Sequence, residues 1–270
     1  MPELPEVETI RQDLEIIQNQ KITEVFRSNY KMRFDSSLSL KSLIDCQIKK
    51  VERKARYLVI KTNSNTALII HLGMSGRLIL GHQFQKLKHD HFACKFENQQ
   101  WLIFNDPRRF GFVDLVLQQD LTTHPNLARL GVEPLSVEFD ALHLQKQLAK
   151  KTINIKTAIM DNQVVVGVGN IYASESLFDA KISPLRIANS LTKKECKKLV
   201  ESIKKILTQA IENRGSSISD FVNTKGHLGN FQNLHLVYDR EDKSCKICNG
   251  LIKRIVQNAR SSFYCLRCQK

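Results

Sequence analysis

Two cysteine pairs near the end of the chain limit its fold most strongly. Cys245 and Cys248 form one C-x2-C knuckle, and Cys265 and Cys268 form a second after sixteen intervening residues. Two such knuckles offer four thiolates, the closed tetrahedral ligand set of one structural zinc ion. The metal would hold a hairpin that is too small to fold alone. Disulfide bonds are the alternative, but they are rare in cytosolic proteins.

The pattern of the chain changes from strands to helices near its middle. Short segments rich in Val, Ile, Leu and Phe, separated by turn-like strings, predict a β-sandwich or barrel in the first part. The predicted strands are 22–28, 47–62, 67–72, 76–80, 91–97, 100–104 and 111–117. From residue 151 the apolar spacing becomes helical, with a capping box at Thr192 and Glu195 and a helix end at Gly215. Residues 216–233 are rich in Ser, Asn and Gly and predict a loop.

Charge and hydropathy predict a soluble protein that binds a polyanion. The 270 residues carry a net charge of +14, and 20 Lys and Arg against 10 Asp and Glu lie in residues 151–270. Nucleic acid is the leading explanation for this excess, with a solvated basic surface as the alternative. No apolar run is long enough to span a membrane, and the acidic start is no signal peptide, so we expect a cytoplasmic protein.

The N-terminus offers an unusual nucleophile. Removal of Met1 would leave Pro2 as a secondary amine, and an α-amine has a pKa of about 7.7–8.0 against about 10.4 for lysine. Its attack on a carbon electrophile would give a cationic iminium. Glu3 and Glu6 stand close enough in sequence to move or steer protons. The alternative is an ordinary helix start, since Pro5 suits a first turn, and the spacing of Val7, Ile10, Leu14 and Ile17 predicts one apolar face of that helix.

Two glycine-flanked turns carry residues suited to entering a DNA duplex. The strings are His71-Leu72-Gly73-Met74-Ser75-Gly76 and Asp106-Pro107-Arg108-Arg109-Phe110-Gly111. Enzymes that extrude a base fill the gap with apolar wedges and arginine. The alternatives are a buried Met74 and a solvated loop with Phe110 in the core. A further string, residues 88–91, suggests a metal pair or, as we prefer, a structural or phosphate-contact histidine at His91.

Glycines that lead into a helix can expose backbone N–H groups to an anion. Residues 167–173 have this form, and Lys156 and Asn170 could complete a phosphate clamp. Core packing is the alternative for this segment. In the cysteine hairpin, Arg260 is a candidate phosphate contact.

Taken together, these strings resemble one enzyme family along the whole chain. The start PELPEVET resembles that of formamidopyrimidine-DNA glycosylases, and both turns, residues 167–173 and residues 257–265 match the same family pattern. The resemblance implies an α+β fold of two domains. The first is an N-terminal β-sandwich with a flanking helix. The second holds a helix–two-turn–helix and a zinc finger. The implied boundaries are 1–133 for the catalytic domain, 134–150 for a linker, 151–235 for the helical domain and 236–270 for the finger.

The resemblance also implies an activity, which is base excision repair of damaged double-stranded DNA by a monomer with one structural Zn²⁺ and no obligate protein partner. Such an enzyme excises 8-oxoguanine and formamidopyrimidines and cleaves the abasic site by β,δ-elimination through a proline Schiff base. The implied catalytic residues are Pro2, Glu3, Glu6, Arg56, Lys156 and Arg260. The implied DNA-binding residues are His71, Met74, His91, Arg108, Arg109, Phe110, Asn170, Tyr238 and Arg260.

Two segments depart from the family pattern, and two other functions stay open. Arg56 stands where the family usually has lysine, and it cannot donate a proton as lysine does. Residues 239–244 are more acidic than the family version. One alternative is an endonuclease VIII-like glycosylase for oxidised pyrimidines, and the other is a non-enzymatic zinc-ribbon DNA-binding protein, which would give no reason for Pro2, Glu3 and Glu6.

Overall fold

The structure is a computed structural model, and it describes residues 1–217 and 221–270. By internal contacts the chain divides into two compact units. Unit 1 comprises residues 1–128 and 213–230, and unit 2 comprises residues 129–212 and 231–270. The predicted domain boundaries at 133, 150 and 235 stay predictions beside this division.

Unit 1 is a sandwich of two four-stranded antiparallel sheets. Its strands are Ile22–Arg27 (β1), Ile48–Lys54 (β2), Tyr57–Thr62 (β3), Thr66–His71 (β4), Arg77–Gly81 (β5), Asp90–Phe96 (β6), Trp101–Asn105 (β7) and Phe112–Leu117 (β8). One sheet has the order β1-β6-β7-β5 and the other β2-β3-β4-β8. The predicted single strand over 47–62 was wrong, because Ala55 adopts a left-handed φ of 55° and turns the chain into a hairpin.

The first helix covers the sandwich with the apolar face that its sequence predicts. Helix α1 spans Leu4–Asp13, and a 3₁₀ turn continues it to Ile17. Val7, Ile10, Leu14 and Ile17 are each at most 1% exposed. They belong to the same core as the inward side chains of both sheets, so burial of this face fixes where the N-terminus lies.

Unit 2 is built from four helices and a β-hairpin. The helices are Ala141–Leu148 (α2), Ile155–Ile159 (α3), Asn170–Asp179 (α4) and Lys193–Glu212 (α5). Helix α5 buries one apolar face in the helical core, formed by Leu199, Ile203, Ile206 and Ala210. The capping box is confirmed, since Thr192 N–H donates to Glu195 at 2.8 Å and Glu195 N–H donates to the Thr192 hydroxyl at 3.3 Å. Residues 134–150, predicted as a linker, contain α2, whose Leu144 and Leu148 lie in this core.

The hairpin at the end of the chain consists of β9 (Ile252–Gln257) and β10 (Arg260–Cys265). Asn258 and Ala259 connect the strands with φ values of 46° and 58°, as a two-residue turn of the I′ type requires. Gln257 and Arg260 face each other across this turn. The predicted loop 216–233 falls partly on residues 218–220, which lie outside the described residues. Within the described residues, no helix is long and apolar enough to cross a membrane.

Candidate functional site

In unit 1, one buried carboxylate organises the start of the chain. Glu6 Oε2 accepts the backbone N–H of Glu3 at 2.8 Å, and Glu6 Oε1 accepts the backbone N–H of Ser216 at 2.8 Å. Glu3 and Glu6 are only 5% and 2% exposed, whereas Pro2 is half-buried. Pro5 lies in the first turn, where backbone N–H groups have no partner within the helix, so its missing N–H costs no hydrogen bond. The predicted residues Pro2, Glu3 and Glu6 therefore lie together at a fixed helix N-terminus.

Gly215 is what allows residue 216 to approach this carboxylate. Its φ is +78°, and a Cβ at this position would lie 2.7 Å from Glu6 Oε1. The left-handed backbone is costly for any residue with a side chain. The glycine predicted as a helix end is thus also a contact residue of the N-terminal site.

A buried cation, Arg56, lies beside the chain start, and the aromatic ring of His71 lies near that cation. Arg56, in the β2–β3 turn, is buried, and its Nη1 lies 3.8 Å from the Met1 sulfur. Burial, reinforced by Arg56 and Arg33, lowers the pKa of His71 to about 4. His71 is therefore neutral near pH 7, and its Nδ1 accepts the N–H of Gly73 at 3.2 Å.

The two glycine-flanked turns at residues 71–76 and 106–111, called the wedge turns below, pack directly against each other. A Cβ on Gly73, whose φ is +62°, would lie 2.4 Å from the backbone nitrogen of Gly111. A Cβ on Gly111 would lie 2.4 Å from the carbonyl oxygen of His71. Met74 and Phe110 remain 46% and 42% exposed, so neither is the core residue of the alternative interpretation.

Asp106 holds the second turn in shape. This buried carboxylate accepts the N–H of Gly111 at 2.8 Å, the hydroxyl of Ser75 at 2.6 Å and the N–H of Arg108 at 3.3 Å. The Arg108 guanidinium lies 4.7 Å from the centre of the Phe110 ring. A cation and an aromatic ring thus project from a loop whose backbone is fixed at both ends.

His91, predicted to bind DNA, lies in a hydrogen-bond network of unit 1. It is 3% exposed, and its ring nitrogens contact the Ser28 hydroxyl at 3.1 Å and the Asp106 carbonyl oxygen at 3.0 Å. These contacts give His91 the structural role that we also considered, while its predicted contact with DNA stays a prediction. His89 and His91 both line a cavity of about 140 Å³.

That cavity was missed from the sequence. It is lined by Tyr30, Lys88, His89, His91, Pro107 and Arg109. Arg109 lies 5.7 Å from the Tyr30 ring centre. His91 is the second residue of β6, whereas His89 precedes the strand. This strand start was the signal that could have separated the two histidines.

In unit 2, Lys156 is the centre of a buried hydrogen-bond network. It is 2% exposed, and its Nζ donates to Asn170 Oδ1 at 2.5 Å, the Ser261 carbonyl at 2.8 Å and the Ser262 hydroxyl at 2.8 Å. An ammonium has three N–H donors, and these bonds use all three. Lys156 therefore fixes the Asn170 amide and ties α3 to the hairpin, while its predicted contact with phosphate stays a prediction.

A second buried carboxylate fixes Tyr238. Glu175 on α4 accepts the backbone N–H groups of Leu236, Val237 and Tyr238 at 2.8–3.0 Å. Burial raises the pKa of Glu175, while those three hydrogen bonds act in the opposite direction. The Tyr238 hydroxyl lies 3.5 Å from Asn170 Nδ2, so the structure brings these two predicted phosphate ligands together.

Arg260 lies at the rim of a larger cavity in unit 2. The cavity has a volume of about 340 Å³. Its lining comprises Ile153, Lys156, Thr157, Met160, Asp161, Gln257, Asn258 and Arg260. Arg260 is exposed directly after the hairpin turn, so its guanidinium is available to an anion.

The four predicted cysteines fit one zinc ion. Their sulfur atoms all lie within 4.8 Å of one another. The Cys245–Cys268 and Cys248–Cys265 pairs are 3.9 and 3.4 Å apart. Zn–S bonds of about 2.3 Å in a tetrahedron place sulfur atoms about 3.8 Å apart. The four thiolates would hold the metal with no open position, so its contribution is to hold the hairpin together.

The acidic segment 239–244 neutralises part of this hairpin. Arg254 lies 3.3 Å from Glu241, and Lys253 lies 4.0 Å from Asp242. These are exposed pairs of small energetic weight. They leave Arg260 as a more available cation of the hairpin.

Family models match nearly all of the chain. The formamidopyrimidine-DNA glycosylase N-terminal domain matches residues 1–113, and the formamidopyrimidine-DNA glycosylase H2TH domain matches residues 130–222. The zinc finger found in FPG and IleRS matches residues 243–270.

Relatives and solved structures agree with these matches. The formamidopyrimidine-DNA glycosylase of Wolbachia pipientis wMel is 45% identical over the full length of both chains. A complex between Lactococcus lactis Fpg and DNA containing an abasic site has a TM-score of 0.91 at 34% identity, with 99% of each chain covered. A complex of an L. lactis FPG mutant with Fapy-dG-containing DNA has the same TM-score and identity over 100% of both chains.

Proposed function

The chain belongs to the formamidopyrimidine-DNA glycosylase family, and from this premise we propose that it excises oxidised purines from duplex DNA and cleaves the resulting abasic site. The activity is base excision repair. The observation that carries the proposal is the arrangement in which Glu6 fixes the Glu3 backbone beside Pro2. Glu3 and Glu6 also form the capping box of α1, so the feature for which a DNA-binding protein without enzymatic activity has no use is the α-amine that removal of Met1 would place beside them.

The nucleophile is the amine of Pro2 after removal of Met1. About a tenth of α-amines are neutral at pH 7, a far larger fraction than for lysine. The nitrogen lone pair attacks C1′ of the damaged nucleotide, and the base leaves with the electron pair of its glycosidic bond and takes up a proton. The new ammonium loses the proton it carried, so that its lone pair can form the iminium when the sugar ring opens. Glu3, as general acid, protonates the ring oxygen so that the sugar opens. Glu6 positions the N-terminus.

The remaining steps follow from the cationic iminium at C1′. It acidifies the C2′ protons, and loss of one of them expels the 3′ phosphate by β-elimination. A second elimination, at the δ position, expels the 5′ phosphate. The product is a one-nucleotide gap with phosphates at both ends. The zinc ion is structural, the iminium on Pro2 drives both eliminations, and water then hydrolyses the iminium and releases the enzyme.

DNA binding uses the basic and polar groups of both units. Asn170, Tyr238 and Arg260 bind backbone phosphates, with Lys156 holding Asn170 in place. These contacts make affinity fall with salt. Arg56 provides a further cation close to the chain start, where it binds phosphate but transfers no proton.

The wedge turns enter the duplex when the base leaves it. Met74 and Phe110 are exposed apolar side chains on rigid turns, as gap filling requires. Arg108, stacked near Phe110, faces the orphan cytosine.

A comparison of lesions tests this proposal. Duplexes with 8-oxoguanine opposite cytosine and with thymine glycol should be incubated with the enzyme, and both base release and strand scission measured. We expect faster excision of 8-oxoguanine. Preference for thymine glycol would favour the endonuclease VIII-like alternative, and binding without scission would favour a zinc-ribbon DNA-binding protein.

The setting of this activity follows from its substrate. We propose that the enzyme acts on the bacterial nucleoid in the cytosol, as a monomer without an obligate protein partner. Gel filtration with and without DNA would test the monomeric state.

A further inference from the structure

The carboxylate at the end of the first helix holds two separate points of the chain. Asp13 is the last residue of α1. Its Oδ1 forms an ion pair with Arg214, and its Oδ2 accepts the N–H of Thr224 at 3.3 Å and the Thr224 hydroxyl at 3.1 Å. The Asp13 side chain is 7% exposed, and Thr224 is fully buried. The buried carboxylate distinguishes this contact from exposed ion pairs of unit 1 such as Lys21–Asp45.

Asp13 and Glu6 together anchor a short segment at two places. They are seven residues apart, so they share one face of α1 about 10.5 Å apart along its axis. Asp13 holds Arg214, and Glu6 holds the N–H of Ser216 at 2.8 Å. Residues 214–216 therefore lie against α1 between two carboxylates.

The backbone of this segment is strained, which makes the anchors necessary. Arg214 has a φ of +63° and Gly215 a φ of +78°. An arginine in this region costs about 1–2 kcal/mol relative to ordinary backbone. The ion pair with Asp13 offsets that strain, and so it helps to keep Ser216 on Glu6.

We propose that Asp13 is a positioning residue for base excision. By holding Arg214 it fixes the Ser216 amide on one oxygen of Glu6, and the other oxygen of Glu6 fixes the Glu3 amide. The inference rests on the proposed function, in which Pro2 and Glu3 carry the chemistry. Loss of Asp13 misplaces these groups without removing any group that we assign to DNA binding.

The experiment uses the full-length, zinc-loaded enzyme with Asp13→Asn, Arg214→Gly and the double variant. Single-turnover excision of 8-oxoguanine at saturating enzyme measures the chemical step. The Kd for a duplex with a tetrahydrofuran abasic analogue measures binding. Asp45→Asn is the control, because Asp45 likewise forms an ion pair, with Lys21 at 2.7 Å, but is 76% exposed and belongs to no group that we assign to the site.

We expect Asp13→Asn to slow excision about tenfold, the rate equivalent of one charge-assisted hydrogen bond at the low end of its range. The Kd should stay within about twofold, and the control should keep the wild-type rate. Arg214→Gly removes the ion pair and relieves the backbone strain, so its Tm should remain near wild type while excision still slows. The double variant should be no slower than Asp13→Asn, because both changes act through one path.

Several outcomes would overturn the inference. One is wild-type excision by both single variants at temperatures where they are folded. Others are a loss confined to Kd, or multiplicative losses in the double variant. If Asp13→Asn does not fold, the rate of Arg214→Gly decides. An inactive wild-type enzyme would overturn the proposed function and, with it, this inference, so the two failures are distinguishable.

Discussion

Replacement of Lys156 by methionine should separate two roles for this buried ammonium, contact with DNA and support of Asn170. The Nζ atom donates to three acceptors at 2.5–2.8 Å and the residue is 2% exposed. Methionine fills the volume of the lysine stem but makes none of these bonds. At about 1 kcal/mol net for each hydrogen bond, the variant should lose about 3 kcal/mol of unfolding free energy. Its Tm should fall by roughly 10 °C.

The salt dependence of DNA binding shows which of these two roles Lys156 has. A cation that neutralises one phosphate contributes about 0.9 to the slope of log K against log salt concentration. Because the three N–H donors of Lys156 are used inside the protein, Lys156→Met should weaken binding and leave that slope unchanged. Arg260→Gln is the comparison, since Arg260 is exposed and its loss should lower the slope by about 0.9.

The assay is fluorescence anisotropy with an uncleavable abasic duplex at five or more salt concentrations, below the Tm of each variant. The reasoning would be refuted if Lys156→Met lowered the slope as much as Arg260→Gln and kept the wild-type Tm. Lys156 would then bind phosphate directly, as the sequence predicts.

Further predictions concern the N-terminal site, the finger, the pH dependence and the wedge turn. Gly215→Ala should slow excision, with a lowered Tm, because its Cβ would meet Glu6 Oε1 at 2.7 Å; a wild-type rate would argue against this close approach. Chelation of zinc, or Cys248→Ser, should unfold the hairpin and abolish DNA binding, as measured by circular dichroism and anisotropy. Burial lowers the pKa of His71 and of His235 to about 4. Because the unfolded chain then binds more protons between about pH 6.5 and 4, stability should rise with pH across that window, and His71→Gln should flatten the rise in denaturant titrations. Asp106→Asn should disorder the wedge turn and reduce excision of 8-oxoguanine more than cleavage of a preformed abasic site, and equal losses on both substrates would contradict it.

The elements with regular periodicity were predictable from the sequence. The buried face of α1, the capping box at Thr192 and the cysteine quartet all depend on spacing within one local segment. The hairpin at Ala55 was missed because a left-handed alanine carries no turn signal in the sequence.

Contacts between distant segments were beyond prediction from spacing. The Glu6–Ser216 hydrogen bond joins residues 210 positions apart, and the Asp13–Arg214 ion pair is of the same kind. The partners of His91 were also beyond prediction, because the sequence gives the residue type at a strand position but not the Ser28 hydroxyl and Asp106 carbonyl that its ring contacts.

Borohydride trapping tests the central claim most directly. The enzyme is incubated with an 8-oxoguanine:cytosine duplex and sodium borohydride, and the cross-linked peptide is mapped by mass spectrometry. The account predicts a reduced adduct on an N-terminal peptide that begins at Pro2, which requires removal of Met1. It also predicts that Pro2→Gly gives less adduct than the wild-type enzyme. An adduct on a lysine, or full activity of a chain that keeps Met1, would contradict the account.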